Sequence, residues 1–149
     1  MIFRNLSRRR AARGLLASMA ALPGAAEATG PFVSHKLVLQ LSDEIAAKQA
    51  LIISVANNLL VLYGPDTVAI EVVCFADGIA LLRAESPRRA EVDALIQQGV
   101  VFDICMNTVD TIERESGKQL SLNPHAVPVQ AGVATILERA EHGYVVVRP

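Results

Sequence analysis

The stretch from Gly99 to Thr108 reads GVVFDICMNT, and it contains the strand-to-helix step that indicates the fold. Gly99 is a residue that often ends helices, and the β-branched and aromatic run after it predicts a buried strand over residues 100–104. Cys105 follows this strand directly. A short helix is then expected over residues 107–116. A strand, a cysteine and a helix start therefore follow one another without a linker.

The same alternation continues on both sides of this stretch. Apolar runs rich in Val, Ile and Leu predict further strands at residues 36–41, 68–75, 126–130 and 144–147. Helices are expected between them, at residues 42–63, 79–83, 86–99 and 132–142. This pattern predicts one α/β domain with a parallel sheet of about five strands and helices on both faces.

Three of the expected helices have polar residues that favour a helix start. Ser42, followed by two acids, is predicted to cap the first helix. Ser86 is predicted as the N-cap before Pro87, a residue suited to the first helical position. Asn107 is predicted as the N-cap of the helix after Cys105, with Asp110 three residues later in capping-box spacing.

The charge distribution argues against nucleic acid as a partner. Residues 1–28 contain five arginines and a single acid, so residues 29–149 carry 9 basic and 14 acidic side chains, a net charge of −5. An acidic domain without a basic patch is poorly suited to a phosphate backbone. The sequence also lacks GxGxxG and GxxxxGK[ST], so neither a Rossmann cofactor site nor a P-loop is supported. We expect no cofactor.

The first 28 residues have the order of regions found in a secretory signal peptide. A basic segment precedes a short apolar run, residues 14–22, and Ala26-Glu27-Ala28 fits a small-x-small cleavage site. Residues 7–13, SRRRAAR, are similar to a twin-arginine signal, although the Sec route stays open. The sequence therefore predicts a cleaved leader over 1–28, a domain over 29–149 and a periplasmic location. No stable membrane span is expected in the mature chain, because polar residues interrupt the apolar stretch 51–62.

Cys105 is the strongest candidate for a reactive residue. It lies at the carboxyl end of a strand, where sites form in open parallel sheets, and just before a helix. The partial positive charge of a helix N-terminus lowers a thiol pKa and favours the nucleophilic thiolate. The alternative is that Cys105 is a small buried residue with a structural role.

Cys74, the second of the two cysteines, lies inside the strand predicted at residues 68–75 and is expected to be a core residue. A Cys74–Cys105 disulfide is the alternative, and it would require neighbouring strands and Cα atoms within about 7 Å. Two cysteines and three dispersed histidines do not form a metal-ligand spacing, so no metal site is predicted.

The segment around Cys105 resembles the DsrE/DsrF-like family of sulfur-relay proteins. It matches the family's glycine, apolar strand, cysteine and Asn-Thr-aliphatic run, here Asn107-Thr108-Val109. Asn57-Asn58 and the strand at residues 70–75 match as well, and so do the stretches VQAGV at 129–133 and GYVVVRP at 143–149. The turn FADG at residues 75–78 stands where the family has a glycine-containing turn. The resemblance covers residues 36–149.

This resemblance implies a three-layer α/β/α fold, homo- or hetero-oligomers such as trimers or hexamers, and a cysteine that carries sulfur as a persulfide, a role transferred to Cys105 alone. A sulfur donor or acceptor protein is the implied partner. The candidate supporting residues around the cysteine are Asn107, Thr108, Asp43, Asn58 and His125. Two alternatives stay open: a non-catalytic binding or assembly module, and a thiol redox sensor.

Overall fold

The computed structural model describes residues 32–149, and the leader predicted over residues 1–28 lies outside them. Five strands form one sheet in which all neighbours are parallel. Their order across the sheet is β4-β3-β2-β1-β5. The strands are β1 His35–Leu41, β2 Val68–Cys74, β3 Val101–Cys105, β4 Val127–Val129 and β5 Val145–Val147.

Helices connect the strands, as the alternation of the sequence predicts. They are α1 Ala46–Tyr63, a 3-10 helix Ala76–Leu82, α2 Arg89–Gln97, α3 Met106–Ser116 and α4 Gly132–Glu141. The predicted α/β fold class is thus confirmed: the domain has a three-layer α/β/α arrangement.

The two faces of the sheet are covered very unequally. Alternate strand residues such as Leu39, Val72 and Phe102 pack with α1, α2 and α3 in the larger core. The opposite face presents Val38 and Val73, which pack with residues of α4 and the loop after it in a core of five buried residues. Within residues 32–149, α4 is the sole helix on that face.

The connections after β3 and β4 leave the sheet toward opposite faces. Val109 of α3 belongs to the larger core, whereas Ile136 of α4 belongs to the smaller one. Since β3 and β4 are neighbours, a crevice opens between the starts of these two helices, at the carboxyl ends of the strands. Such a switch point is where open α/β sheets hold their ligands.

The predicted helix caps are wrong in all three cases. Helix α1 begins three residues later than Ser42 suggests, with Ile45 at the N-cap and no acid in its first turn. Helix α2 begins after Arg88, so Ser86 and Pro87 precede it, although the Ser86 hydroxyl accepts a 3.3 Å hydrogen bond from the Arg88 N–H. Helix α3 begins directly after the cysteine, which leaves Asn107 inside the helix.

The apolar run at the end of the chain forms the predicted strand, but this strand, β5, is exposed and not buried. Val38 and Val72 are fully buried, but Val146 is 43% exposed, and its neighbours Val145 and Val147 are exposed too. The reason is position: β5 has three residues and lies at the edge of the sheet, beyond β1. At the opposite edge, β4 tolerates Pro128 because an edge strand needs fewer backbone donors.

Candidate functional site

Cys105 lies where the sequence predicts, at the carboxyl end of a strand and just before a helix. The strand order places this position at the switch point between β3 and β4. It is the last residue of β3 and the N-cap residue of α3, with an extended backbone. The residue is only 5% exposed. Its thiol lies 3.9 Å from the carbonyl oxygen of Gln130, a long contact in which the S–H group donates.

The groups around the sulfur favour its thiolate form. Burial raises the pKa of the Cys105 thiol, but the Gly132 N–H, the Thr108 hydroxyl and N–H, and the Asn107 N–H outweigh it and hold the pKa below its ordinary value. Two of these residues open α3 and the third opens α4, so two helix starts act on one sulfur. The Cys105 side chain does not form a capping hydrogen bond to α3.

Asn107 joins the two helix starts instead of capping one of them. Its side-chain oxygen accepts a 2.7 Å hydrogen bond from the amide of Gln130, and its N–H donates to the Gln130 carbonyl oxygen at 3.2 Å. Gln130 precedes α4 by two residues, so this pair fixes α3 against α4. The sequence reasoning missed Gln130 because no local pattern connects residues 25 apart along the chain to the same site.

Thr108 connects the cysteine to the turn that follows β2. Its hydroxyl oxygen accepts a 3.1 Å hydrogen bond from the Ala76 N–H, and the same hydroxyl lowers the pKa of the Cys105 thiol. Ala76 has a φ of 47°, a left-handed conformation that a residue with a Cβ adopts at a cost of about 1 kcal/mol or more. The turn also needs Gly78, since a Cβ there would lie 2.2 Å from the Leu41 carbonyl oxygen.

A surface pocket of about 310 Å³ opens beside this turn. Cys105 is not part of its wall, but Asn107 and Thr108 line it, and both residues lower the pKa of the Cys105 thiol. The lining residues are Ala76, Asp77, Asn107, Thr108, Thr111 and Ile112. The pocket therefore lies next to the thiol, separated from it by the first turn of α3.

The structure brings Asn107 and Thr108 to Cys105 but leaves the other three candidate residues away from it. Asp43 follows β1, two strands from β3, and forms a 2.7 Å ion pair with Lys48 that holds the pKa of its carboxyl below the usual value. Asn58 is an exposed residue in the second half of α1. His125 is exposed and precedes β4, so it lies near the amino end of that strand, whereas Cys105 lies at the carboxyl end of β3.

Cys74 is a core residue, as the sequence predicts. It is fully buried in the larger core, and this burial, followed by the charge of Asp103, raises the pKa of its thiol. Both cysteines are free. The alternative of a disulfide is wrong, because Cys74 pairs with Ile104 in the sheet and Cys105 therefore projects from the opposite face.

A buried charged cluster was also missed in the sequence. It consists of Glu71 in β2, Asp103 in β3 and Arg139 in α4, all at most 6% exposed. An acid within each of two apolar strands is the signal that could have shown it. Nowhere in residues 32–149 do three His, Cys, Asp or Glu side chains group as metal ligands would.

One helix among the described residues, α1, is long and apolar enough to cross a membrane. Its 18-residue stretch has a mean hydropathy of 1.3, and 28% of it is buried. Core helices of globular domains satisfy the same criterion. Here Ile52, Ala56 and Leu60 of α1 pack on the sheet.

The fold and the site define a class: an open parallel α/β/α domain with a cysteine held at the switch point by two helix starts. A solved structure that matches the chain is that of the protein MTH1491, of unknown function, from Methanobacterium thermoautotrophicum. The sequences are 31% identical, the TM-score is 0.69, and the match covers 77% of this chain and 99% of the other. The chain belongs to the family of that protein. No family model and no curated protein matches it.

Proposed function

We propose that the protein is an exported sulfur carrier in which Cys105 holds sulfane sulfur as a persulfide. The observation that carries this proposal is the place of Cys105, the last residue of β3 and the N-cap of α3, with its thiol 3.9 Å from the carbonyl oxygen of Gln130, just before α4. A thiolate is the form that attacks sulfane sulfur, and the backbone N–H groups at these two helix starts lower the pKa of the thiol. The resemblance of the segment from Gly99 to Val109 to DsrE/DsrF-like proteins supports the same role.

The proposed transfer needs no outside oxidant or reductant. The Cys105 thiolate attacks the outer sulfur of a donor persulfide or polysulfide, so that a new S–S bond forms at Cys105. The S–S bond within the donor breaks at the same time, and the donor leaves as a thiolate. An acceptor thiolate then attacks the outer sulfur and releases Cys105 as a thiolate again.

The limited exposure of the Cys105 sulfur favours a small sulfur donor. Cys105 is 5% exposed, and the nearby pocket of about 310 Å³ is large enough for a short polysulfide or the end of a side chain. The turn at Ala76 and Asp77 forms the other side of this pocket. A sulfur species that enters there lies next to Thr108, the residue whose hydroxyl reaches the cysteine.

Mass spectrometry of the intact protein tests the proposal. Treatment with polysulfide is expected to add about one sulfur atom per chain, and a reductant is expected to remove it. Cys105→Ser is expected to lose the addition while the domain stays folded. Cys74→Ser is the matched control and is expected to keep it, because Cys74 is fully buried on the opposite face.

Other outcomes would point to other roles. If the Cys105→Ser protein still gains sulfur, the carrier proposal is wrong. If both variants lose the addition equally, the cysteines act as a pair and the protein is better described as a redox sensor.

A second candidate function is an assembly module in which Cys105 is structural. The specific observation in its favour is the exposure of apolar side chains on α1, among them Leu51, Val61 and Leu62. Thiol labelling of the folded protein distinguishes the two functions. A Cys105 that reacts faster than a free cysteine supports the carrier, and an unreactive one supports the assembly module.

Export to the periplasm is part of the proposal and rests on the leader alone. N-terminal sequencing of the native protein is expected to start at or near Thr29, after the Ala26-Glu27-Ala28 site. A native protein that still begins at Met1 would exclude cleavage. Replacement of Arg8 and Arg9 by Lys is expected to block export only if the twin-arginine route is used.

A further inference from the structure

Glu71, Asp103 and Arg139 form a buried charged cluster between the sheet and α4. Their exposed fractions are 3%, 0% and 6%, and the Arg139 guanidinium donates from Nε to the Glu71 carboxylate. Asp103 lies two residues before Cys105 on β3, so both project from the same face of the sheet. The cluster and the thiol therefore lie under the same helix.

The cluster contains two carboxyl groups and a single guanidinium. Were both carboxyls ionised, Glu71 Oε1 and both Asp103 oxygens would have no hydrogen-bond partner among the described residues. Burial first, then the hydrogen bond and the charge of Glu71, raise the pKa of Asp103 to about 9. At neutral pH Asp103 therefore stays protonated, and its O–H donates a hydrogen bond to the Glu71 carboxylate. The three side chains together are then electrically neutral.

Helix α4 joins this cluster to the thiol. The Cys105 thiol lies 3.9 Å from the carbonyl oxygen of Gln130, two residues before α4 begins at Gly132, and the Gly132 N–H lowers the pKa of that thiol. Arg139 lies seven residues after Gly132, about 10 Å along the helix axis. The apolar core under α4 has only five buried residues, so the ion pair is a large part of what locates the helix. Its start is tightly placed, because a Cβ at Gly132 would lie 3.1 Å from Val73 Cγ1.

We propose that Glu71, Asp103 and Arg139 are positioning residues that hold the start of α4 against the Cys105 sulfur. The inference deepens the proposed function, since it concerns the same thiol, but it can be tested without any sulfur transfer. The cluster sets the place of the helix, and the helix start stabilises the thiolate. A shift of α4 is therefore expected to destabilise the thiolate form of Cys105 while the domain stays folded.

The test is the pH dependence of Cys105 alkylation by iodoacetamide in a Cys74→Ser background. The double variant Glu71→Gln, Arg139→Met removes one negative and one positive charge, so the net charge near the sulfur is unchanged. A displaced titration curve then reports the position of the helix and not a change of charge. We expect the curve to move to higher pH and alkylation near neutral pH to slow by roughly three- to tenfold.

Two comparison variants distinguish a loss of helix positioning from a general loss of stability. The pair Arg88–Glu91 on α2 is exposed and lies on the other face, so Glu91→Gln with Arg88→Met is expected to leave the curve unchanged. Asp103→Asn keeps a donor for Glu71 and is expected to stay close to wild type. Circular dichroism confirms that each variant is folded.

An unchanged alkylation curve in the folded double variant would overturn the inference. If that variant does not fold, Arg139→Lys serves instead, because it keeps the charge but loses the guanidinium geometry. It is expected to shift the curve in the same direction by less, and no shift would overturn the inference equally. A shifted curve in a protein that takes up no sulfur would retain the positioning role and reject the carrier function.

Discussion

At the scale of single residues, the reactivity of Cys105 depends on a few donors. Thr108 is the informative one, because its hydroxyl both accepts from Ala76 and acts on the sulfur. The sequence placed Cys105 correctly at a strand end before a helix. It misplaced Asn107, since capping rules favour Asn and do not anticipate a cysteine at the N-cap.

Removing the Thr108 hydroxyl is expected to make the thiol less acidic. Thr108→Val keeps the shape of the side chain but loses a hydrogen bond to a charged group, so alkylation of Cys105 near neutral pH should slow by roughly three- to tenfold. Thr108→Ser is the matched control and should react like wild type. Equal rates in the two variants would show that the hydroxyl does not act on the sulfur.

At the scale of elements, β2 and β3 each carry an acidic residue within an otherwise apolar strand, and α4 carries the arginine of the buried cluster. The sequence predicted these elements and their order along the chain. It could not predict that Glu71 and Asp103 are brought together, because that depends on β2 and β3 being neighbours in a particular register, with Asp103 opposite Val73. Nor could it show that, among the helices of residues 32–149, α4 alone covers this face.

The cluster predicts a pH-dependent stability. The pKa of Asp103 is about 9 in the folded protein, against an ordinary value of 3.8 for the side chain, so the folded state binds the proton more tightly. The contribution of Asp103 to the free energy of unfolding is complete below about pH 4. It is lost as the pH rises toward 9, by at most about 1.4 kcal/mol per pH unit. Asp103→Asn removes this slope, so the variant should gain stability relative to wild type as the pH rises.

Urea unfolding of both proteins between about pH 5 and 9 measures this difference. Parallel stability curves over that range would mean that Asp103 is not protonated in the folded state. Asp77→Asn is a suitable control, because Asp77 is exposed in the turn after β2.

At the scale of the whole molecule, α1 has an outer face unlike that of a helix in contact with water. Only one of its 18 residues, Lys48, is charged. Leu51, Val61 and Leu62 are 47%, 87% and 68% exposed. A helix face that exposes this many apolar side chains is normally covered, and we propose that a second copy of the chain covers this one.

Light scattering after size exclusion tests this proposal on the mature chain. The wild-type protein is expected to have the mass of an oligomer, and Val61→Lys with Leu62→Lys is expected to reduce it to that of a monomer. Val133 and Leu137 are exposed on α4, so lysines at those two positions make a matched control that should keep the oligomer. A monomeric wild-type protein would contradict the proposal.

The sequence by itself determined the α/β alternation, the approximate bounds of the strands and the position of Cys105 before a helix. These follow from local patterns: β-branched runs, glycines that end helices, and an apolar strand that leads into a polar turn. The strand order, the edge position of β5 and the union of two helix starts at one sulfur were decided by the tertiary structure. The reason is that such features depend on which strands pair, and pairing brings together residues such as Gln130, Gly132 and Cys105 that are far apart in the chain.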